Sequence, residues 1–186
     1  MGSEKKFTGK SALYSKFRPS YPQSLLQYLY TDIGFQQSST IADIGAGTGI
    51  FSKMLLEQGS QVICVEPNAD MLCAAKRELA DYPNCLYVHA MAENTTLPEQ
   101  SVDFITVAQA FHWFDRSRFK TECQRILRPE GKVILIWNSR IENDALTLDN
   151  AKINKALCPN FSGFSGGSRQ EPQAYADFFR DGRCEH

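Results

Sequence analysis

Three glycines at alternate positions stand in the stretch IADIGAGTG, where an apolar run ends. Gly45, Gly47 and Gly49 leave the backbone bare at a point where a strand would pass into a helix. Such a turn lets a ligand approach the main chain, and the free N–H groups of the following helix favour an anion. Asp43 adds a carboxylate just before the turn. The pattern predicts a ligand-binding turn, although a tight strand-to-helix turn without a ligand also fits the glycines alone.

A second carboxylate, Glu66, closes the next apolar run, QVICVE. An acid at the end of a second strand can accept hydrogen bonds from the ribose hydroxyls of a nucleoside cofactor. A capping or solvent-facing carboxylate is the simpler alternative. Asp43 would repel a pyrophosphate but suits a ligand that carries an ammonium and a sulfonium, and Gly49 comes one position earlier than the dinucleotide pattern G-x-G-x-x-G requires. These features favour S-adenosylmethionine over a nicotinamide cofactor.

Residues that could act on a methyl acceptor are less specific. His112 follows the predicted fourth strand and could serve as a general base; the alternative is that FHWF, residues 111–114, is an aromatic plug with a passive histidine. Arg18 could pair with a carboxylate of the cofactor or acceptor, or it could be an ordinary surface arginine. Tyr14 could belong to a lid or simply pack the first helix. The remaining acceptor-side candidates are Gln109, Trp113 and Asn138.

Strand-like and helix-like segments alternate through about a hundred residues. The patterns predict helices at 22–33, 50–59, 69–79 and 115–127, and strands at 40–44, 61–66, 85–91, 102–110 and 132–137, with a turn at RPEG, residues 128–131. This order predicts an α/β fold: a Rossmann-like, doubly wound, mostly parallel sheet with helices on both faces. Ligands of such sheets bind outside the carboxyl ends of the strands, where the candidate residues fall. Two further helices are predicted, at 143–157 and 172–179.

Length and composition bound the remaining possibilities. The 186 residues fit one domain: a helical lid segment over about 1–38, a cofactor-binding core over 39–140, and a helical or loop region on the substrate side over 141–186, which we expect to be truncated. The net charge of −1 shows no excess of basic side chains that would favour binding of nucleic acid. No apolar run approaches the roughly 20 residues of a membrane span. The six cysteines are scattered without metal-binding spacing, and the chain shows no secretion signal. We therefore expect a cytoplasmic protein with reduced thiols and no bound metal. We also expect a monomer or a homodimer.

Four stretches in order resemble the class I S-adenosylmethionine-dependent methyltransferases: IADIGAGTGIFS, VICVEPNADML, AMAENTTLPEQSVDFITVAQAFHWF and RILRPEGKVILIW. With YSKFRPSYP near the amino terminus, they are most similar to the small-molecule, type 11-like branch related to trans-aconitate methyltransferase, over about residues 10–140. The resemblance implies methyl transfer to a small-molecule acceptor, a carboxylate or a hydroxyl, by in-line displacement. Relatives usually continue into two more strands, and we expect this chain to lack that C-terminal strand hairpin.

The resemblance also implies roles for individual residues. The implied cofactor-binding set is Asp43, Gly45, Gly47 and Gly49 around the methionine portion, Glu66 on the ribose, Pro67 and Met71 beside the adenine, Ala92 and Glu93 at the adenine edge, and Ala108 and Gln109 near the sulfonium. Met71 fits a core position on an amphipathic helix equally well. Two alternatives stay open: a NAD-dependent oxidoreductase of similar layout, and a non-catalytic module that keeps the nucleoside pocket.

Overall fold

A computed structural model describes residues 18–138, 144–158 and 177–179 of the chain. Its centre is a five-stranded sheet in which all neighbouring strands run parallel, in the order β3-β2-β1-β4-β5. The strands are β1 Thr40–Ile44, β2 Gln61–Val65, β3 Cys85–Val88, β4 Val102–Ala108 and β5 Leu127–Ile136. The predicted α/β, Rossmann-like doubly wound sheet is confirmed.

Helices connect these strands except between β3 and β4. The helices are α1 Gln23–Tyr28, which continues as a π-helical turn Leu29–Ile33, then α2 Ile50–Glu57, α3 Ala69–Glu78, a 3-10 turn Phe111–Trp113, α4 Arg116–Ile126 and α5 Ala145–Leu157. Asn68 caps α3 by accepting a hydrogen bond from the Met71 N–H, and Asp115 caps α4 by accepting one from the Arg118 N–H. Short polar side chains at these positions satisfy N–H groups that the first helical turn leaves unpaired.

The core lies between the sheet and the helices that follow its strands. The side chains of β1 and β2 are almost all buried, which explains their near-continuous apolar sequences. Phe35 and Phe104 stack with ring centroids 4.1 Å apart, so the end of the first helical segment packs against β4. The carboxyl ends of β1, β2 and β4 consequently form a fixed edge for the residues that could bind a ligand.

The boundaries of three predicted strands were wrong. The segment RPEG was predicted as a turn before the fifth strand, but it lies inside β5 as an irregularity of the β4–β5 pairing. Val102 pairs with Leu127 and Phe104 with Lys132, so β5 carries three more residues than β4 between these pairs. Among these extra residues, Glu130 has a left-handed backbone conformation, with φ at 67°. The third strand ends at Val88 rather than at residue 91, and the fourth ends at Ala108 rather than at residue 110.

The connection from β3 to β4 contains no helix and is held by side chains. Glu122 of α4 is buried and accepts hydrogen bonds from the Thr95 N–H and hydroxyl and from the Arg125 guanidinium. The Arg125 contact holds the pKa of Glu122 at about 2. This network ties the connection to α4, a role that no sequence pattern indicated.

The described residues fall into two compact units that divide after Ile136. In the second unit, Asp144 caps α5, and residues 177–178 are helical at the end of the segment predicted as a helix over 172–179. Among the helices described, none combines the length and apolar character that crossing a bilayer requires. One domain over residues 1–186 stays a prediction, as does truncation of its last segment.

Candidate cofactor-binding site

The glycine turn lies at the carboxyl edge of the sheet, between β1 and α2. The N–H groups of Gly45 and Ala46 both donate to the carbonyl oxygen of Val65, at 2.8 Å and 3.2 Å, so the turn is tied to the end of β2. Gly45, Gly47 and Gly49 all have left-handed φ angles, of 72°, 60° and 84°. Residues with a Cβ rarely adopt this conformation, which explains the alternate glycines.

The three glycines differ in what surrounds them. A Cβ on Gly45 would lie 2.6 Å from the Ala110 Cβ, and a Cβ on Gly49 would lie 2.7 Å from a Leu79 methyl carbon. A Cβ on Gly47 would meet nothing within 4 Å. Gly45 and Gly49 are therefore required by packing, whereas Gly47 faces open space. That space is available to a ligand in contact with bare main chain.

Glu66 follows β2 directly, next to the glycine turn, and is 7% exposed. One carboxylate oxygen accepts a hydrogen bond from the Gly47 N–H and the other from the Asn68 N–H, both at 2.9 Å. Burial raises the pKa of Glu66 above its usual range, against the opposing effect of these two donors. Each carboxylate oxygen has a second acceptor position, so the side chain fits a ligand that offers two adjacent hydroxyl donors.

Asp43 is fully buried beneath the turn. Its two carboxylate oxygens accept hydrogen bonds from the Ser52 hydroxyl at 2.5 Å and from the Thr106 hydroxyl at 2.9 Å. Burial raises the pKa of Asp43 to about 6, although both hydroxyls favour the charged form. A buried carboxylate in this position favours a ligand with positive charge.

Thr48 lines the candidate site, and the sequence analysis did not single it out. It is 2% exposed, and its hydroxyl oxygen has no hydrogen-bond partner among the described residues. An unsatisfied buried hydroxyl is costly, and such groups are uncommon in native proteins. Because Thr48 lies between Gly47 and Gly49, its hydroxyl without a partner among the described residues suggests that a ligand binds at the turn. The available signal was a hydroxyl residue within the glycine run.

The turn lines an open crevice with residues from several elements. Six candidate or newly identified residues line it: Arg18, Asp43, Gly45, Gly47, Thr48 and Ala108. The cavity measures about 30 Å³, so a nucleoside ligand would extend beyond it along the open side. Tyr21 also lines the crevice and packs edge-to-face on Phe51 of α2, with ring centroids 5.1 Å apart. Tyr14 lies outside the described residues, and its lid role stays a prediction.

The residues expected beside an adenine lie next to Glu66 or on the β3–β4 connection. The Pro67 carbonyl is hydrogen-bonded to the His89 imidazole at 2.9 Å, and Met71 is 3% exposed on α3. Ala92 is also buried. A Glu93 carboxylate oxygen accepts a hydrogen bond from the Asp115 N–H at 2.7 Å, which anchors the start of α4. Contacts of these four residues with an adenine stay predictions.

The acceptor-side candidates are divided between the two units. Gln109 follows β4 in a left-handed conformation, at φ 61°, and its N–H donates to the Ile136 carbonyl at 2.9 Å. Such conformations in residues other than glycine concentrate at functional sites. The rings of His112 and Trp113 lie 4.6 Å apart in the 3-10 turn. Asn138 belongs to the second unit, and its role at an acceptor site stays a prediction.

The chain is similar to known methyltransferases in sequence. Residues 42–135 match the family described as methyltransferase domain, type 11. An uncharacterized methyltransferase of Mycobacterium tuberculosis is 37% identical over 129 residues, which cover 69% of this chain and 50% of that protein. A protein of Saccharomyces cerevisiae is described as a probable S-adenosylmethionine-dependent methyltransferase. It is 30% identical over 128 residues, which cover 66% of this chain and 43% of that protein. The chain spans about half the length of the curated relatives it matches.

Solved structures agree with this assignment. A structure from Anaeromyxobacter dehalogenans, described as a proposed type II methyltransferase, superposes with a TM-score of 0.65. It is 30% identical in sequence, and the match covers 80% of this chain and 61% of that one. The predicted resemblance to class I methyltransferases is confirmed, whereas the relation to trans-aconitate methyltransferase stays a prediction.

Proposed function

This chain belongs to the methyltransferase domain family, and on that premise we propose that it methylates a small-molecule acceptor with S-adenosylmethionine. When bound, S-adenosylmethionine supplies a methyl group that its sulfonium already activates. The observation that carries the proposal is the open space at Gly47, whose N–H donates to Glu66 and whose neighbour Thr48 has a buried hydroxyl with no partner among the described residues. These groups match a nucleoside with a charged amino-acid tail.

Each part of the turn has a role in this proposal. Glu66 accepts hydrogen bonds from the two ribose hydroxyls, and the main chain at Gly47 contacts the amino-acid portion. Thr48 donates its hydroxyl hydrogen to the carboxylate of that portion, which gives the buried oxygen a partner. Asp43, in its ionised form, offsets the positive charge of the ammonium and sulfonium through the floor of the crevice.

The protein's main catalytic contribution is orientation. Holding two reacting groups in line can lower a barrier by about 7–11 kcal/mol. Ala108 lines the crevice at the end of β4, and the backbone of Gln109 is held there by its hydrogen bond to Ile136. We assign them to the floor beneath the transferred methyl. A general base is needed only where the acceptor must lose a proton; His112 is then the candidate, and otherwise it belongs to an aromatic plug.

We propose a small acceptor with a carboxylate or a hydroxyl. Arg18 lines it, and a guanidinium can bind a carboxylate through two hydrogen bonds. The net charge of −1 provides no general attraction for nucleic acid. We also propose that the protein acts in the cytoplasm, as a monomer or homodimer.

Calorimetric titration with S-adenosylmethionine, S-adenosylhomocysteine and NAD tests the cofactor. We expect saturable binding of the first two and none of NAD. Binding of NAD without a response to S-adenosylmethionine would show that the oxidoreductase alternative is correct.

A product screen tests the acceptor. The protein is incubated with methyl-labelled S-adenosylmethionine and a panel of small carboxylic acids, alcohols and phenols, and Arg18→Gln serves as the matched variant. We expect label on a carboxylate or hydroxyl compound, and a higher KM for carboxylates in the variant. Cofactor binding without transfer to any compound would favour the non-catalytic module.

A further inference from the structure

The start of α4 lacks one half of its cap within its own sequence. Asp115 accepts a hydrogen bond from the Arg118 N–H, which is the first half of a capping box. In a complete box, a Glu or Gln at the position of Arg118 accepts a hydrogen bond from the N–H of the capping residue. Arginine has no acceptor atom. The acceptor for the Asp115 N–H therefore has to come from outside α4.

Glu93 of the β3–β4 connection supplies that acceptor. Its carboxylate oxygen lies 2.7 Å from the Asp115 nitrogen, a distance typical of a charge-assisted hydrogen bond. A negative charge at this position also interacts favourably with the partial positive charge at the start of a helix. The two residues are 22 positions apart in the chain, so the bond joins two separate elements. Glu93 thus completes the cap of α4 from the connection.

The connection that carries Glu93 is itself anchored to α4. Thr95 is fully buried, and its N–H and hydroxyl donate to Glu122 at 2.8 Å and 2.5 Å. Glu122 and Asp115 lie about two helical turns apart. Two hydrogen-bonded contacts along the helix therefore fix α4 against the connection, and the Glu93 carboxylate is held in place by its own backbone.

The segment that precedes this cap, residues 110–114, lies against the glycine turn. A Cβ on Gly45 would lie 2.6 Å from the Ala110 Cβ and 3.3 Å from the Phe114 ring. We name these five residues the aromatic segment. Its beginning continues β4, and its end is the capped start of α4 that Glu93 holds. The aromatic segment is therefore fixed at both ends.

Two side chains of the aromatic segment are acceptor-side candidates. Phe111 is 1% exposed and packs near Phe119 of α4, with ring centroids 6.3 Å apart. His112 and Trp113 are only half-buried and lie between Phe111 and the start of α4. Since core packing encloses these two side chains only in part, their place depends on the backbone that carries them.

We propose that Glu93 is a positioning residue for the acceptor side of the site. By completing the cap of α4, it sets the place of His112 and Trp113 relative to the glycine turn. The connection that would border the cofactor at Ala92 therefore also orients the residues that would contact the acceptor. The assignment to the acceptor side rests on the proposed function, whereas the attachment of the aromatic segment by Glu93 does not.

Acrylamide quenching of Trp113 fluorescence tests the attachment without any cofactor. The chain has two tryptophans, so Trp137→Phe leaves Trp113 alone and serves as the parent protein. In this parent, Glu93→Ala should raise the quenching constant about twofold, because the aromatic segment loses its attachment to the connection. Glu93→Gln should stay close to the parent, since its amide oxygen can still accept from the Asp115 N–H. Glu93→Asp, one CH₂ group shorter, should give an intermediate rise and repeats the test should the alanine variant not fold.

Asp115→Ala is the matched control. It removes the side-chain half of the cap but keeps the N–H that donates to Glu93. Asp115→Ala and Glu93→Ala should both unfold at lower urea concentration than the parent, whereas only Glu93→Ala should change the quenching of Trp113. Parent-like quenching in Glu93→Ala, or the same rise in Asp115→Ala, would show that Glu93 merely stabilises the helix, and the proposal would be wrong.

Cofactor binding and methyl transfer test the assignment to the acceptor side. The probes are S-adenosylhomocysteine in calorimetry, and methyl-labelled S-adenosylmethionine with the panel of carboxylic acids, alcohols and phenols. In Glu93→Ala, the rate of label transfer at saturating cofactor should fall about tenfold or more, while the dissociation constant for S-adenosylhomocysteine changes by less than about threefold. Weaker cofactor binding with an unchanged rate would assign Glu93 to the adenine edge instead. Failure of the parent to bind S-adenosylhomocysteine would refute the proposed function alone, because the quenching experiment needs no cofactor.

Discussion

Thr48 and Glu66 show how single side chains prepare the turn for a ligand. Glu66 already accepts one main-chain hydrogen bond at each oxygen, and Thr48 keeps its hydroxyl without a partner among the described residues. The first feature orients a carboxylate before any ligand arrives. The second is an energetic cost in the free protein, which a bound group can relieve. The two residues therefore call for different substitutions.

Glu66→Gln should weaken binding of S-adenosylmethionine about tenfold to a hundredfold. The amide keeps one acceptor oxygen but places an NH₂ group against a main-chain donor or a ribose hydroxyl, and hydrogen bonds to a charged group contribute about 1.5–3 kcal/mol each. Calorimetric titration provides the dissociation constants. Glu78→Gln, at the exposed end of α3, is the matched control. Equal affinity in both variants would show that Glu66 does not hold the ribose.

Thr48→Val should change stability and binding in opposite directions. Valine has nearly the same shape and removes the unsatisfied hydroxyl, so the free energy of unfolding of the free protein should stay level or rise by about 1 kcal/mol. Affinity for S-adenosylmethionine should fall by about twofold to tenfold. Urea unfolding and titration measure the two quantities.

Thr106→Val is the control for this substitution. It removes a hydroxyl that donates to Asp43, so it should lower the free energy of unfolding. If Thr48→Val destabilises the free protein as much as Thr106→Val does, then the Thr48 hydroxyl already has a partner and its role at the cofactor is wrong.

Among the elements, the glycine turn separates packing from ligand contact. Gly45→Ala should lower the free energy of unfolding by about 2–4 kcal/mol, because the new methyl overlaps Ala110 and the left-handed backbone is strained. Gly47→Ala carries only the backbone strain, about 1–2 kcal/mol, since its methyl points into open space. Urea unfolding of both variants measures this difference.

The same pair tests where the cofactor lies. The Gly47 methyl would occupy the space assigned to the ligand, so Gly47→Ala should remain folded and yet lose measurable binding of S-adenosylmethionine in calorimetry. A folded Gly47→Ala protein with wild-type affinity would place the ligand elsewhere.

Sequence patterns predicted those elements whose formation depends on local spacing. β1 and α2 follow directly from apolar runs and from the glycines between them. The β5 irregularity was missed because Glu130 adopts a conformation that its residue type does not favour. The Glu93–Asp115 hydrogen bond was missed because it joins residues that are brought together only by the fold.

At the scale of the whole molecule, Asp43 links stability to pH. Its folded pKa of about 6 lies above the ordinary value of 3.8, so the folded state holds this proton more tightly than the unfolded state does. The resulting stability is complete below about pH 4 and is lost as the pH rises through about 6. A cationic cofactor favours the ionised form. Its affinity should therefore increase as the pH rises through about 6.

Thermal unfolding with and without S-adenosylmethionine, at about pH 5 and about pH 7.5, measures this linkage. The rise in Tm produced by the cofactor should be larger at the higher pH in the wild-type protein and nearly equal at both pH values in Asp43→Asn. His89→Gln removes the imidazole near Glu66 and should keep the wild-type dependence. An equal pH dependence in wild type and Asp43→Asn would assign the linkage to another group.

The irregular start of β5 has a practical consequence. Arg128, Pro129 and Glu130 are exposed where β5 begins, and in a parallel sheet this corner lies at the edge opposite the glycine turn. The length of β4 puts about 20 Å between the two edges. A fluorophore or surface anchor attached at residue 129 would therefore lie on the edge of the sheet opposite the glycine turn. The crevice would remain accessible to ligands in solution.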